Sequence, residues 1–214
     1  MLEIKHKETG KRIVSVAHDS LRGRAVDGID LAGADFRGMD LSACMFTSCN
    51  LSECDFTGAK LIRTRISNCV AKRAIFEQAV MVECDFSDSV FDVSSFRKAN
   101  AKRGKFRHSK INSADFAGAN FSETDMMFAE LAGCDFRNAN LSESNLFGAD
   151  MTRADFTRAD LQKSNMTEGQ ILGAIFQFAK MAGCIATNGK PWGFLVRGKE
   201  KPKPWWKVWN NAAV

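Results

Sequence analysis

What is scarce in this sequence narrows the field before any motif is considered. Its 214 residues include no Tyr, 3 Pro and 3 His, and the 4 Trp all lie after position 190. With His6, His18 and His108 scattered and none of them near a Cys pair, a zinc centre is not expected. No apolar run approaches the roughly 20 residues needed to cross a bilayer as a helix, so no membrane association is expected. The opening Met1-Leu2-Glu3-Ile4-Lys5-His6 has no apolar stretch of signal-peptide length, and the cytoplasm is the expected compartment. There is no phosphate-binding Gly-rich loop, dinucleotide fingerprint or nucleophile–base motif. Neither catalysis nor a cofactor is expected on these grounds.

What the chain does contain is a repeat. Phe36, Phe56, Phe76, Phe96, Phe116, Phe136, Phe156 and Phe176 recur every twenty residues. Inside that interval runs a beat of five: Ala34-Asp35-Phe36 returns as Cys54-Asp55-Phe56, Ala114-Asp115-Phe116, Cys134-Asp135-Phe136 and Ala154-Asp155-Phe156. Every fifth position from Leu21 to Met181 is Leu, Phe, Ile, Met, Val or Ala, with no insertion. Two residues before each of these centres, from Ala34 to Ala179, the side chain is small, Met39 being the clear exception. Two inward positions in five match neither the 3.6 period of a helix nor the period of two of a strand. A backbone that turns a corner every five residues does match. Four sides then close a coil of twenty residues, and coils stack about 4.8 Å apart, the strand-pairing distance. Some eight such coils make a rod on the order of 40 Å long.

The same register explains the 7 Cys. Cys44, Cys49, Cys54, Cys69, Cys84, Cys134 and Cys184 all occupy the small inward phase, where a free thiol behaves as a small buried hydrophobe. Neither disulfides nor metal ligation is needed to explain their spacing. The Asp column before the centres, including Asp35, Asp55, Asp115, Asp135 and Asp155, would offer carboxylates to a cation. Short Asp and Asn side chains also satisfy the backbone at tight corners, and this second role accounts better for the Asn and Ser that share the phase.

This pattern of Ala, then Asp or Asn, then Leu or Phe, then two free residues resembles the pentapeptide-repeat family over about residues 21–185. The resemblance implies an all-β chain folded as a right-handed quadrilateral β-helix. Flanking it, residues 1–20 read as an N-terminal hairpin cap, because two alternating runs enclose Glu8-Thr9-Gly10-Lys11. Residues 186–214 read as a basic, Trp-rich C-terminal cap or tail. There Trp192, Trp205, Trp206 and Trp209 are expected to cover the last coil or to join two copies as a homodimer.

Function is expected from the outer surface. The solenoid is near neutral, with 20 Lys and Arg against 21 Asp and Glu in residues 21–185. Within it, Arg97, Lys98, Lys102, Arg103, Lys105, Arg107 and Lys110 have no acid between Asp92 and Asp115. They form a candidate docking belt for an acidic protein partner. Residues 111–170 reverse the sign, with 4 cations and 10 acids. Met127, Phe128 and Phe147 fall on outward phases and make a candidate apolar contact. The expected function is a rigid, non-catalytic scaffold for protein–protein interaction. Some members of the resembled family bind DNA gyrase, and some confer antibiotic resistance by imitating duplex DNA, so a topoisomerase-interacting role with partial mimicry by residues 111–170 is the alternative. A 40 Å duplex presents roughly two dozen negative charges at about 1.7 Å per charge, which a near-neutral rod does not match. Direct nucleic-acid binding is disfavoured, because a belt touches phosphates without reading a groove.

Overall fold

The computed structural model describes residues 1–193. The chain starts with a hairpin, β1 (Leu2–Lys5) and β2 (Arg12–Val16). The two strands pair antiparallel from Leu2 opposite Val16 to Lys5 opposite Arg12, with an irregularity between Ile4 and Lys5. Alternation along β1 buries Ile4, and the chain then runs onto the rim of the first coil. The Asp35 N–H donates to the Lys5 carbonyl at 2.8 Å, and the Lys7 N–H donates to the Gly33 carbonyl at 2.8 Å. Gly33 is needed at this contact. Its φ is +71°, and a Cβ there would lie 2.5 Å from His6 Nε2.

From there the backbone bonds to itself at a twenty-residue offset, as the five-residue beat requires. Parallel bridges join Asp30 to Asn50, Asp115 to Asp135 and Asn165 to Ile185, among many others. On one side of the first coils the pairing widens into a three-stranded parallel sheet of β3 (Ala25–Asp27), β4 (Met45–Thr47) and β5 (Arg65–Ser67). Hydrogen bonds run in both directions between coils. The Phe116 N–H donates to the Asp135 carbonyl at 2.8 Å, and the Asp135 N–H donates back to the Ala114 carbonyl at 3.0 Å. At most corners the carbonyl of a centre accepts the N–H three residues on, as Phe116 does from Ala119 at 2.9 Å. The residue before that donor takes a left-handed conformation, with φ near 60° in Glu53, Val93 and Arg103, the geometry a type II turn demands. The architecture is a right-handed quadrilateral β-helix.

The core follows from the inward phase. From Phe36 to Phe176 the rings form one column, with neighbouring centroids 4.5–5.0 Å apart and planes within 14° of parallel. Each contact adds roughly 0.5–1.5 kcal/mol beyond burial of the ring area. Phe86, Phe91, Phe106 and Phe121 enter from the other sides and meet the column edge-on or tilted. They fill the middle of the rod, where Ala71 and Ala101 would otherwise leave space. All seven Cys are free and buried, and the sulfurs of Cys44, Cys49, Cys54, Cys69 and Cys134 point to backbone carbonyls of the preceding coil, as Cys134 does to Ile111 at 2.9 Å.

Candidate docking surface

The Asp and Asn column works at the corners. Asp115 Oδ1 accepts the Ala117 N–H at 2.8 Å, Asp155 Oδ1 that of Thr157 at 2.8 Å, and Asn140 Oδ1 that of Ser142 at 3.0 Å. One side chain thereby satisfies a backbone donor two residues ahead, which is why short polar side chains hold this phase. Among the described residues no group of three or more His, Cys, Asp or Glu is arranged to hold a metal ion.

Charge pairing runs along the rod. In the basic belt, Arg97 meets Asp115 at 2.8 Å, while Lys102 and Arg103 meet Glu123 at 2.9 and 2.7 Å. Arg107 pairs with Asp125, and Lys110 with Glu130 at 3.2 Å. The partners lie 18–21 residues ahead, on the next coil. The Arg103 guanidinium, contributing most, and the Lys102 ammonium hold the Glu123 carboxyl below its usual range. Lys98 and Lys105 have no anionic partner among the described residues. The acidic zone is the other half of the same lattice. Besides the belt's partners, Asp135 pairs with Arg137, Glu143 with Lys163 and Asp160 with Lys180. Only Asp150, Asp155 and Glu168 of that zone form no close ion pair among the described residues.

The apolar candidates do come together. Phe128 is exposed, and its ring stands at 5.5 Å and 88° to that of half-buried Phe147. Phe128 lies over Gly148, where a Cβ would meet the ring at 2.5 Å. Half-buried Met127 is its chain neighbour. Sequence reasoning had left His108 outside this group, yet its imidazole stacks on Phe128 at 5.3 Å and 11°. Its position twenty residues before Phe128 was the available signal. The patch therefore joins the belt, with unpaired Lys105 on the same side one coil below.

At the far end, Trp192 packs against Phe176 with centroids 5.1 Å apart, and its N–H donates to the Cys184 carbonyl at 2.7 Å. Trp205, Trp206 and Trp209 lie outside the described residues. Sequence reasoning also passed over Leu172 and Phe178, which are 73% and 72% exposed on the last coil, beside Ile175 at 49%. At the opposite end a cavity of about 380 Å³ opens between the hairpin and the first coil, lined by Ile4, Val14, Val16, Leu21, Val26 and Leu31 among others. No helix among the described residues is long and apolar enough to cross a membrane.

No curated protein matches the chain. Among solved structures it is similar to HetL, a pentapeptide repeat protein involved in heterocyst differentiation regulation from the cyanobacterium Nostoc sp. strain PCC 7120. That likeness has 21% identity over 81% of this chain and 94% of that one, with a TM-score of 0.25. It is also similar to full-length QnrB1, a plasmid-mediated fluoroquinolone resistance protein, at 20% identity over 73% of this chain and 91% of that one, TM-score 0.30. A pentapeptide repeat protein of the Arabidopsis thaliana thylakoid lumen is 23% identical over 70% of this chain and 66% of its own, TM-score 0.22. The family model described as pentapeptide repeats matches in 8 copies, over residues 27–61, 49–88, 94–142 and 129–168. With the five-residue corner, the twenty-residue coil and the matched copies in agreement, the chain belongs to the pentapeptide-repeat family.

Proposed function

We propose that the chain is a rigid, non-catalytic scaffold of the cytoplasm that docks a protein partner on the side of the rod bearing Phe128. The observation that supports this is the cluster of Met127, Phe128 and Phe147 with His108 stacked on it, on a surface whose other outward charges are mostly paired between coils. A partner segment that places an apolar side chain on Phe128 and a carboxylate near Lys105 and His108 fits both its shape and its charge. In general the family is a structural and protein-interaction fold rather than an enzymatic one.

The test starts from affinity capture out of the native host, followed by binding of the purified partner. Phe147→Ser with Met127→Ser should weaken binding by at least about tenfold, a loss of some 1.4 kcal/mol, and Lys105→Glu should weaken it with a smaller salt dependence. Unchanged partner recovery in both variants would remove this reading. Duplex mimicry requires an uncompensated negative field, and seven of the ten acids in residues 111–170 are held in ion pairs. Inhibition of gyrase supercoiling, or protection of gyrase from a quinolone, at micromolar protein would replace the scaffold reading with the topoisomerase one.

A further inference from the structure

The hairpin closes only part of the rim below the first coil. Its Lys5 and Lys7 bond to the rim at residues 33–35, whereas β3, elsewhere on that rim, has a strand partner on one edge only. In the parallel ladder to β4, the Met45 N–H donates to the Arg24 carbonyl and the Gly28 N–H to the Thr47 carbonyl, both at 2.9 Å. That register turns the N–H and C=O groups of Ala25 and Asp27 away from β4. Among the described residues, no backbone group meets them on the free edge. A strand edge left in this state accepts another strand.

The same edge is one wall of the cavity beneath the first coil. That cavity, of about 380 Å³, has Leu21 and Val26 on the coil side and Val14 and Val16 on the hairpin side. Val26 is buried, while Ala25 and Asp27 flank it on exposed outward phases. Arg24 lines the cavity too. Later coils fill its phase with small buried side chains such as Cys44, Thr64, Cys84 and Ser144, so a guanidinium here departs from the repeat. It stands 3.5 Å from His18 Nδ1 and forms no ion pair among the described residues, whereas Arg22 pairs with Asp40 at 3.6 Å. A strand added to β3 would turn alternate side chains inward, one beneath Val26 and one two residues away beneath Arg24. An apolar side chain suits the first position and a carboxylate the second. On the outward phase Asp27 also forms no ion pair among the described residues, and a cation opposite it completes the match. An amphipathic anion would satisfy Arg24 but leave the alternating donors and acceptors of Ala25 and Asp27 unpaired. An extended peptide satisfies both.

We infer that the free edge of β3 takes an extended segment of a partner protein as an added strand, its apolar side chain entering the cavity and a carboxylate two residues away meeting Arg24. Two capped peptides carry this pattern in the two strand directions, Thr-Glu-Thr-Val-Lys-Thr and Thr-Lys-Val-Thr-Glu-Thr. Exchanging Glu with Lys in each gives a charge-swapped control. Amide NMR of the full-length protein reads binding. One of the two peptides should move the Ala25 and Asp27 amide signals and slow their hydrogen exchange at least about tenfold. It should also bind at least about tenfold more tightly than its control. Ala25→Pro removes an edge donor where an edge strand accommodates proline, and should weaken binding by at least about tenfold with unchanged circular dichroism. Arg24→Glu should reverse the preference, so that the charge-swapped control binds more tightly. No movement of these amides at millimolar peptide, or equal affinity for peptide and control, would overturn the proposal. Amides already protected in a dimeric parent would overturn it in favour of a second copy at this edge. Decanoate binding beside Arg24 without peptide binding would overturn it in favour of a small amphipathic anion. None of these results bears on the Phe128 patch, whose variants leave β3 intact.

Discussion

Val93 stands at a corner with φ 62° and a β-branched side chain, the residue type that tolerates the left-handed region least. Nothing is gained by the valine there, since 57% of its surface is exposed. A left-handed L-residue costs about 1–2 kcal/mol, and glycine recovers part of that after its larger entropy loss. Val93→Gly should therefore raise stability by about 1 kcal/mol, seen as a higher urea midpoint with unchanged slope. A lower midpoint would mean that the corner is held by the side chain.

The thiols give a second prediction at this scale. Burial pushes Cys54 and Cys134 up to about 12 and Cys69 to about 11, from an ordinary value of 9.0. A group whose pKa is higher in the folded chain binds its proton more tightly there. Its contribution is complete below pH 9 and declines as the unfolded chain ionises above it. Stability should fall between about pH 9 and 12, and Cys54→Ala/Cys134→Ala should flatten that fall. Native protein at pH 8 should react with a thiol reagent far more slowly than protein unfolded in urea.

Among the elements, the Phe column is the most informative. Phe116 contacts Phe96 and Phe136 in parallel and Phe121 edge-on at 4.9 Å. Phe116→Ala should cost about 3–5 kcal/mol, whereas Phe116→Leu should cost much less by keeping most of the volume; denaturant titration distinguishes the two. This column was legible in the sequence because its period is the coil itself. The corner role of Asp115 and Asn140 was legible too, since Asp, Asn and Ser interchange there without regard to charge. The ion pairs were not. Read along the chain, Arg97 to Lys110 is a stretch without acids, but its neighbours in space are the residues 18–21 positions ahead. Charge balance in a solenoid has to be counted between coils. His108 escaped notice for the same reason, its stacking partner Phe128 being one coil away.

For the whole molecule the coil is the unit that can be removed. Deleting residues 97–116 takes out one turn and leaves every later centre on its original side. Deleting Ala117 alone shifts all later centres by one position, moving large side chains off the inward phase. The first variant should give the β circular dichroism of a shorter rod, and the second should be insoluble or unfolded. Equal behaviour would show that the register is not set by the five-residue beat. Because each coil touches only its neighbours, stability should vary with coil number nearly as a sum of local terms.

The rim contact between Lys5, Lys7 and residues 33–35 gives the rod a direction in time as well as in space. The hairpin is synthesised before any coil, and its strands are close in sequence, so it closes early. As the chain emerges, it finds a finished edge on which the first coil can form. That coil then offers the next edge twenty residues later. Growth by addition to a seed matches the order in which the chain is synthesised, and an unfinished rod is exposed only at its newest coil.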